Sequence, residues 1–292
     1  MKRKIKSTVY RPKTEIKGAV LIIHGMCEHR KRYDDYARFL ALAGYGVITY
    51  DQVGHGESID DVFGYFGMNG WSHLVEVADG MVDELYAQFP NVPHFIFAHS
   101  MGSIVARSYI KRHDEKIDGL ILSGAPCYQK LAKAGLAAIK IIVNTQGAKN
   151  TSKHLKKLVE GRFNDEIKDA KSEADWISFD RDNIDRYLAD PYCNQTFTNQ
   201  GYHDLITGMI DMHDHKHYQH YNPALPILFV AGKHDPCTGY QKGLEDSIAT
   251  LKKAGYKNIQ AITYENSRHE VLNDHDASKV YHDTLTWLNA KQ

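Results

Sequence analysis

The stretch His94-Phe-Ile-Phe-Ala-His-Ser-Met-Gly102 is the part of the sequence that decides the fold. Its first five residues form a short apolar run that predicts a buried β-strand, and the residues after the serine predict a helix that runs to His113. A serine placed between such a strand and helix occupies a tight turn, so the residues two before and two after it must be small. Ala98 and Gly102 meet this requirement, and we predict that Ser100 is a nucleophile presented on the turn.

A five-residue pattern of this kind also occurs by chance, and the alternative interpretation of Ser100 is an ordinary helix N-cap. Glycine is usual where Ala98 stands, which is a mild departure from the pattern. The position between strand and helix favours a nucleophile. Because a hydroxyl is a weak nucleophile without a base, this hypothesis requires a histidine and an acid further along the chain.

Short apolar runs alternate with longer amphipathic segments on both sides of this stretch, as in a parallel sheet with crossover helices. The other predicted strands are Gly18–His24, Gly46–Tyr50, Ile117–Ser123, Leu225–Ala231 and Ile259–Tyr264. The predicted helices are Tyr33–Ala43, Trp71–Phe89, Met101–His113, Gly239–Ala254 and Ala277–Leu288. We therefore expect an α/β fold with a mostly parallel central sheet and helices on both faces.

The alternation stops between Cys127 and Tyr221, where helix and loop signals are mixed and charged residues occur throughout. We expect residues 1–126 and 222–292 to form one α/β core and residues 127–221 to form an inserted helical cap or lid. A chain of 292 residues is long enough for such a domain and its insertion.

An acid and a histidine follow the last two predicted strands, in Gly232-Lys-His-Asp-Pro236 and in Ser267-Arg-His-Glu270. Loops at the carboxyl ends of parallel strands lie along one edge of the sheet, so both side chains can reach the serine turn. We predict that His269 is the general base and that Asp235 orients its imidazole and stabilises the imidazolium form.

Both assignments have alternatives. An aspartate before a proline, as in Asp235-Pro236, is also a common turn feature. His269 is one of 17 histidines, with His234 and His275 close to it in sequence. Its position after the last core strand, rather than its residue type, distinguishes it.

Hydrolysis through a tetrahedral intermediate needs two donors directed at the developing oxyanion, one of them the backbone N–H after the nucleophile. That residue is Met101, and the Met26 amide in the loop after the first strand is the candidate for the second donor. The alternative interpretation of His24-Gly25 is a turn that only ends the strand.

Four motifs together resemble the monoacylglycerol lipase and lysophospholipase group of the serine aminopeptidase S33 branch of α/β-hydrolases. They are His24-Gly-Met-Cys-Glu-His-Arg-Lys-Arg-Tyr33, Tyr50-Asp-Gln-Val-Gly-His-Gly-Glu-Ser58, Ala98-His-Ser-Met-Gly102 and Asn266-Ser-Arg-His-Glu-Val-Leu-Asn273. Asp190-Pro-Tyr-Cys-Asn194, with Phe197 and Thr198, also resembles the end of the cap in bacterial lysophospholipase-like members.

The resemblance implies an α/β-hydrolase fold, a triad of Ser100, Asp235 and His269, and an oxyanion hole formed by the Met26 and Met101 amides. It also implies a small-molecule acyl ester as substrate, with no cofactor and no metal. The family usually has glycine where Cys27 and Ser103 stand, so the shape of the acyl-pocket entrance is expected to differ here.

The composition agrees with this class of function. Lys and Arg number 36, as do Asp and Glu, so no charge excess favours nucleic acid as a partner. No signal peptide or membrane span is expected. Cys27, Cys127, Cys193 and Cys237 form no close pair, which predicts reduced thiols and a cytoplasmic location. No oligomeric state is predicted.

Two further features of the predicted cap have competing interpretations. Ala134–Val143 is apolar, and ordinary packing against the core is favoured over an acyl tunnel or a transient contact with a membrane surface. The histidine-rich segment His213-Asp-His-Lys-His217, with His220 nearby, is interpreted as a solvated loop or helix end rather than a metal site.

The favoured function is hydrolysis of monoacylglycerols, lysophospholipids or similar acyl esters through an acyl-enzyme. The alternative within the fold is an aminopeptidase, which needs cap acids to bind the substrate ammonium, and the candidates for these acids are Glu160, Asp165, Glu166 and Asp169. A non-catalytic binding protein is a third hypothesis, because fold alone does not determine function. The complete triad argues against it.

Overall fold

A seven-stranded sheet forms the centre of the molecule, in the order β1-β3-β2-β4-β5-β6-β7. The computed structural model describes residues 5–160, 163–165, 167–168 and 170–291. The strands are β1 (Ser7–Tyr10), β2 (Gly18–Ile23), β3 (Tyr45–Tyr50), β4 (His94–His99), β5 (Gly119–Ser123), β6 (Ile227–Gly232) and β7 (Ile259–Tyr264). All neighbouring strands run parallel except β1 and β3, which are antiparallel. The predicted fold class is confirmed.

Nine α-helices lie in the described residues and cover the sheet and one of its edges. They are α1 (Asp34–Leu42), α2 (Gly70–Gln88), α3 (Met101–His113), α4 (Ala132–Gln146), α5 (Lys153–Val159), α6 (Arg181–Ala189), α7 (Asn199–His213), α8 (Tyr240–Lys253) and α9 (Ala277–Asn289). The helices predicted in the two halves of the core correspond to α1, α2, α3, α8 and α9, and their boundaries match the prediction to within one residue.

The sheet separates two apolar layers. Along β2, Ala19, Leu21 and Ile23 pack into one layer, whereas Val20 and Ile22 pack into the other. Side chains of a strand alternate between its faces, so a strand covered by helices on both sides must be apolar at every position. This requirement explains the uninterrupted apolar runs of the sequence.

Strand β1 is the main element that the sequence analysis missed. It pairs with the edge strand β3 in antiparallel register, with Ser7 opposite Tyr50 and Tyr10 opposite Val47. Its residues are half-buried or exposed, so the four-residue stretch lacks the apolar run that identified the central strands. A short edge strand of this kind leaves little signal in a sequence.

The residues between β5 and β6, numbers 124–226 and here called the β5–β6 segment, contain α4, α5, α6 and α7. Helix α7 packs against α2, α3 and α4. An added Cβ at Gly208 of α7 would lie 2.2 Å from the Trp71 ring of α2, so these helices are in close contact. A separate small apolar cluster surrounds α6 and includes Ile177, Ile184 and Tyr187.

No helix in the described part of the chain is both long and apolar enough to cross a membrane.

Helix α3 approaches β2 very closely at its first turn. A Cβ added at Gly102 would lie 2.4 Å from the carbonyl oxygen of Ile23 and 2.6 Å from that of His24. Backbone atoms cannot move aside as a flexible side chain can, so only glycine fits between the helix and the end of β2. The requirement for a small residue two positions after Ser100 therefore has a direct steric cause.

We predict that Gly102→Ala lowers the free energy of unfolding by about 1–3 kcal/mol, because the methyl group overlaps backbone oxygens. Gly80→Ala in the middle of α2 is the matched control, since an added Cβ there meets nothing within 4 Å. That control should be neutral or stabilise the protein by about 0.5–1 kcal/mol. Urea unfolding of both variants measures the difference, and equal effects would contradict the steric explanation.

Candidate active site

Ser100 stands on the turn between β4 and α3 with φ +50° and ψ −120°. This conformation is rarely adopted by a residue with a side chain and costs about 1–3 kcal/mol, so the surrounding structure must hold it. The Ser100 amide donates to the Ser123 carbonyl at 2.9 Å, and the Ser103 hydroxyl donates to the Ser100 carbonyl at 2.6 Å. Ser103, which departs from the family pattern, thus contributes a hydrogen bond to the turn.

The three predicted triad residues meet at the carboxyl edge of the sheet. His269 Nε2 lies 2.8 Å from Ser100 Oγ, and His269 Nδ1 lies 2.9 Å from Asp235 Oδ2. Asp235 and His269 are 0% and 2% exposed, whereas Ser100 is 9% exposed. The hydroxyl therefore lies at the outer end of a hydrogen-bonded chain whose inner members are buried.

The loops after β6 and β7 lie close enough to bring Asp235 and His269 together. The His234 amide donates to the Ser267 carbonyl at 3.2 Å. A Cβ at Gly232 would lie 2.0 Å from the Arg268 carbonyl oxygen, so the approach of the two loops depends on glycine at this position. The second carboxylate oxygen, Asp235 Oδ1, accepts the Cys237 amide at 2.8 Å, which fixes the orientation of the carboxylate.

The charges of the triad are set by opposing effects. Burial disfavours the charged form of His269, but the Asp235 carboxylate beside it outweighs burial and raises the pKa of the imidazole above its ordinary value. Burial likewise opposes ionisation of Asp235, yet His269 holds the pKa of that carboxyl below its ordinary value. The geometry thus stabilises an imidazolium–carboxylate pair of His269 and Asp235.

His99, the residue before Ser100, is a second buried imidazole whose ring centroid lies 4.7 Å from that of His269. Burial and the neighbouring His269 lower the pKa of His99 to about 4, so it stays neutral when His269 is protonated. Its Nδ1 lies 3.2 Å from Ser123 Oγ. Trp176 lies on another side of His269, with ring centroids 4.8 Å apart.

The loop after β2 brings Gly25 and Met26 beside Ser100, and Met26 and Met101 both line the same cavity as the serine. The Gly25 amide donates to Glu28 Oε1 at 2.5 Å. Cys27 follows with φ +55°, a conformation that glycine adopts without strain and that explains why glycine is usual at this position. Met26 and Met101, the two predicted oxyanion donors, thus line the same cavity as Ser100.

A buried ionic network lies next to the triad, and the sequence analysis did not identify it. Arg32 contacts Glu28 Oε2 at 3.0 Å and binds both oxygens of Glu270 at 2.6 and 2.8 Å. It also donates to Asn183 Oδ1 of α6 at 3.0 Å, and Asn183 in turn donates to Glu270. Burial alone raises the pKa of Glu270, but Arg32 lowers it to about 2, so the carboxylate remains charged.

A cavity of about 890 Å³ begins at Ser100 and extends beneath the β5–β6 segment. Its volume is in the upper part of the range typical for small-molecule sites. Most of its lining residues belong to the β5–β6 segment, and they include apolar side chains of α4, α5 and α7, among them Ala138, Ile139, Val159, Leu205, Ile206 and Met209. The Ala134–Val143 stretch therefore contributes both to packing and to the cavity wall, whereas Ile141 on its other side is 65% exposed.

The acids proposed for an aminopeptidase are distributed unevenly. Glu160 lines the cavity, and its side chain accepts the Tyr202 hydroxyl at 2.7 Å. Burial raises the pKa of Glu160 to about 6. Asp165 is exposed and does not line the cavity. Glu166 and Asp169 lie outside the described residues.

The histidine-rich segment lies at the carboxyl end of α7, and its imidazoles contact different partners. His213 stacks on Tyr128 with ring centroids 3.9 Å apart, and His217 Nδ1 lies 2.6 Å from Asp214 Oδ2. All four cysteines are free thiols. The His217 side chain is exposed, as expected for a solvated helix end.

Comparison with known proteins shows that this chain is similar to ester hydrolases in sequence and in fold. The chain is 26% identical over 283 residues to the monoacylglycerol lipase of Mycolicibacterium smegmatis. The aligned region covers 96% of this chain and 91% of that protein. It is also similar to the crystal structure of a thermostable carboxyl esterase from Bacillus coagulans in complex with glycerol. The two structures match with a TM-score of 0.91 and a sequence identity of 27%, and the match covers 99% of this chain and 94% of the esterase.

The monoacylglycerol lipase of Paleococcus ferrophilus shares the fold, with a TM-score of 0.76 at 20% identity over 99% of this chain and the whole of that one. The sequence profile of the serine aminopeptidase S33 family matches residues 14–276. This match covers most of the chain, and the resemblance predicted from the four motifs is confirmed. The chain belongs to the serine aminopeptidase S33 family of α/β-hydrolases.

Proposed function

We propose that this protein is a serine hydrolase that cleaves monoacylglycerols, lysophospholipids or similar acyl esters through an acyl-enzyme. Its membership of the family supports an acyl-ester hydrolase, as does its similarity to a monoacylglycerol lipase and to a carboxyl esterase. The observation that supports this substrate class and mechanism is the hydrogen-bonded series Ser100–His269–Asp235 beside a large, mostly apolar cavity.

In the first half of the reaction, Ser100 Oγ attacks the ester carbonyl carbon while His269 Nε2 accepts the hydroxyl proton. The tetrahedral intermediate then collapses, the bond from carbon to the alcohol oxygen breaks, and His269 returns the proton to that oxygen. The free alcohol leaves, and the acyl group remains as an ester on Ser100. Asp235 retains its charge throughout and stabilises the imidazolium.

In the second half, water takes the place of the alcohol. His269 removes a proton from the water as it attacks the acyl carbon, and Ser100 leaves with that proton when the intermediate collapses. The products are a carboxylic acid and the regenerated serine. In both halves the Met26 and Met101 amides donate to the oxyanion, a stabilisation worth about 3–4 kcal/mol for one such donor.

The cavity favours an ester with a long acyl chain and a compact polar alcohol. Its apolar walls suit a hydrocarbon chain, because each buried methylene contributes about 0.8 kcal/mol. Polar groups occur in the same cavity, including Glu160, Asn164 and Asn194. Such groups can hydrogen-bond the hydroxyls of a glyceryl head group.

The aminopeptidase alternative is not favoured. Recognition of an amino terminus requires a charged carboxylate, and Glu160, whose pKa burial raises to about 6, already accepts a hydrogen bond from the Tyr202 hydroxyl. Lys153, Lys156 and Lys157 also line the cavity, and Lys156 pairs with Glu173 at 3.2 Å. Because Glu28 and Glu270 in the same lining pair with Arg32, the charges of Lys153 and Lys157 oppose a substrate ammonium.

We propose that the β5–β6 segment acts as the cap over the active site, with residues 127–221 as its extent. The cavity wall formed by α4, α5 and α7 supports this role. Exposed apolar residues of the segment, Leu131, Ile141 and Leu158, are the candidates for a transient contact with lipid. A cytoplasmic location stays a prediction.

We also propose that the Arg32 network positions the catalytic groups. Glu28 receives the Gly25 amide, so it sets the position of the loop that carries Met26. Glu270 directly follows His269, and its amide donates to the Ile177 carbonyl at 2.8 Å. The Arg32 guanidinium therefore connects three parts of the chain, namely the loop after β2, the loop after β7 that carries His269, and α6.

The nucleophile is tested by labelling with a fluorophosphonate. We expect stoichiometric labelling of the native protein, with the adduct mapped by mass spectrometry to Ser100. Ser100→Ala should abolish both labelling and ester hydrolysis, whereas Ser103→Ala, at a buried serine in the same turn, should retain labelling. Labelling that persists in Ser100→Ala, or no labelling of the native protein, would refute the proposed mechanism.

The substrate class is tested with p-nitrophenyl esters of increasing chain length. We expect kcat/KM to rise up to about fourfold per added methylene until the cavity is filled, following about 0.8 kcal/mol for each buried methylene. Monoacylglycerol and lysophosphatidylcholine then distinguish the preferred head group. Aminoacyl naphthylamides should be poor substrates, and faster cleavage of these amides than of the esters would favour the aminopeptidase.

Asp235→Asn should lower kcat by about four orders of magnitude while the protein stays folded. The acid limb of the kcat/KM profile reports protonation of His269, because only the neutral imidazole accepts a proton. Asp235 raises the pKa of His269. The acid limb of the native profile therefore lies at a pH above the ordinary pKa of histidine, and it should move to lower pH in the variant. Unchanged turnover, or a limb that does not move, would place the acid elsewhere.

Arg32→Met should lower the free energy of unfolding by about 3–5 kcal/mol, because it leaves Glu28 and Glu270 buried without a counter-charge. Arg38→Met is the matched control, since Arg38 is exposed and its guanidinium lies over the Tyr10 ring. The control should cost no more than about 1 kcal/mol. Denaturant unfolding compares the two, and a similar small loss in both would show that the network does not hold the site together.

A further inference from the structure

A second cluster of chemically reactive side chains lies where the loop after β2 meets the residues after α6. It consists of His29, Asp190 and Cys193, whose ligand atoms (an imidazole nitrogen, a carboxylate oxygen and the thiol sulfur) all lie within 4.8 Å of one another. Among the described residues, no other set of three histidine, cysteine or acidic side chains converges in this way. None of the three lines the cavity or takes part in the proposed hydrolysis.

The local backbone orients two of these groups. The Cys193 amide donates to the Asp190 carbonyl at 3.0 Å, so a turn holds the two residues side by side. The Tyr192 amide donates to Asp190 Oδ1 at 2.8 Å, which leaves Oδ2 to face His29 Nε2, also at 2.8 Å. The Tyr192 ring packs edge-on against the His29 imidazole, with centroids 5.7 Å apart.

The burial of the cluster leaves one side accessible. His29 and Cys193 are 6% and 2% exposed, but the Asp190 side chain is 29% exposed. An ion can therefore reach the cluster past Asp190 and keep a water molecule there. The nearby Arg32 is a positive charge, but Glu28 and Glu270 already neutralise it.

We infer that His29, Asp190 and Cys193 form a zinc site with three protein ligands and one water molecule. Imidazole nitrogen, thiolate sulfur and carboxylate oxygen are the donors that zinc prefers, in tetrahedral geometry. With zinc-to-ligand distances of about 2.0–2.1 Å, the His29 nitrogen and the Asp190 oxygen must move apart to roughly 3.3 Å, about 0.5 Å further than their hydrogen bond. The ion takes the place of the hydrogen on His29 Nε2, which moves to Nδ1 as the neutral imidazole changes tautomer, and the Cys193 thiol proton is released to solvent.

The position of the site gives zinc a structural effect. His29 belongs to the loop that carries Gly25 and Met26, whereas Asp190 and Cys193 belong to the β5–β6 segment. A bound ion therefore joins this segment to the α/β core at a point near the oxyanion donors. Because it binds the folded chain, it raises the thermal unfolding temperature in proportion to the logarithm of its concentration above Kd.

The inference is tested by adding Co²⁺ to the metal-free full-length chain and recording the charge-transfer absorption that a cobalt–thiolate bond produces. Zn²⁺ is then titrated against the bound Co²⁺ to obtain its affinity. We expect the absorption band in the native protein, its loss in Cys193→Ser, and at least about 100-fold weaker binding in His29→Gln and Asp190→Asn. Cys27→Ser, which removes a neighbouring buried thiol, and His217→Gln, which alters the histidine-rich segment, should retain the band and the native affinity.

Ester hydrolysis provides the folding control, because Cys193 has no role in the proposed reaction and an active Cys193→Ser variant is folded. Proton release by the native protein on addition of Zn²⁺ is a second measurement that needs no variant. Absence of the band and of proton release in the native protein would overturn the inference. So would a band that persists in Cys193→Ser or that disappears in Cys27→Ser or His217→Gln.

Discussion

The structure depends on one imidazole that must hydrogen-bond to two side chains at once. His269 contacts Ser100 at 2.8 Å and Asp235 at 2.9 Å, although the three residues follow three different strands. Both hydrogen bonds form only within a narrow range of distances. They therefore require the register of the sheet and the close contact between the loops after β6 and β7. The strained turn at Ser100 and glycine at position 232 follow from this requirement.

The loop after β2 connects this geometry to the rest of the molecule. Its first residues, Gly25 and Met26, lie beside the nucleophile, and its next residues contact the β5–β6 segment through His29 and Arg32. Within ten residues the loop thus carries a proposed oxyanion donor, two members of the buried ionic network and a ligand of the inferred zinc site. Changes in the β5–β6 segment can therefore affect the reacting groups without touching substrate.

Chemistry and specificity are built from different parts of the chain. The reacting groups come from the edge of the sheet, where strand geometry holds them rigidly. The cavity wall comes mostly from the β5–β6 segment, including apolar residues of α4, α5 and α7. This division explains how one fold accommodates different acyl esters, since substrate choice is determined largely by side chains that take no part in proton transfer.

The sequence alone determined the α/β class, six of the seven strands, the family and the identity of the residues that the structure brings together at Ser100. These features depend on local signals, namely apolar runs, small residues around a serine turn and acids or histidines that follow strands. Strand β1 was missed because it is short and only partly buried. Only the tertiary structure decided that Arg32 pairs with Glu270 and that His29 meets Asp190, 238 and 161 residues apart in sequence. Contacts of that range have no local pattern, since they arise from how the loop after β2 packs against the loop after β7 and against the β5–β6 segment.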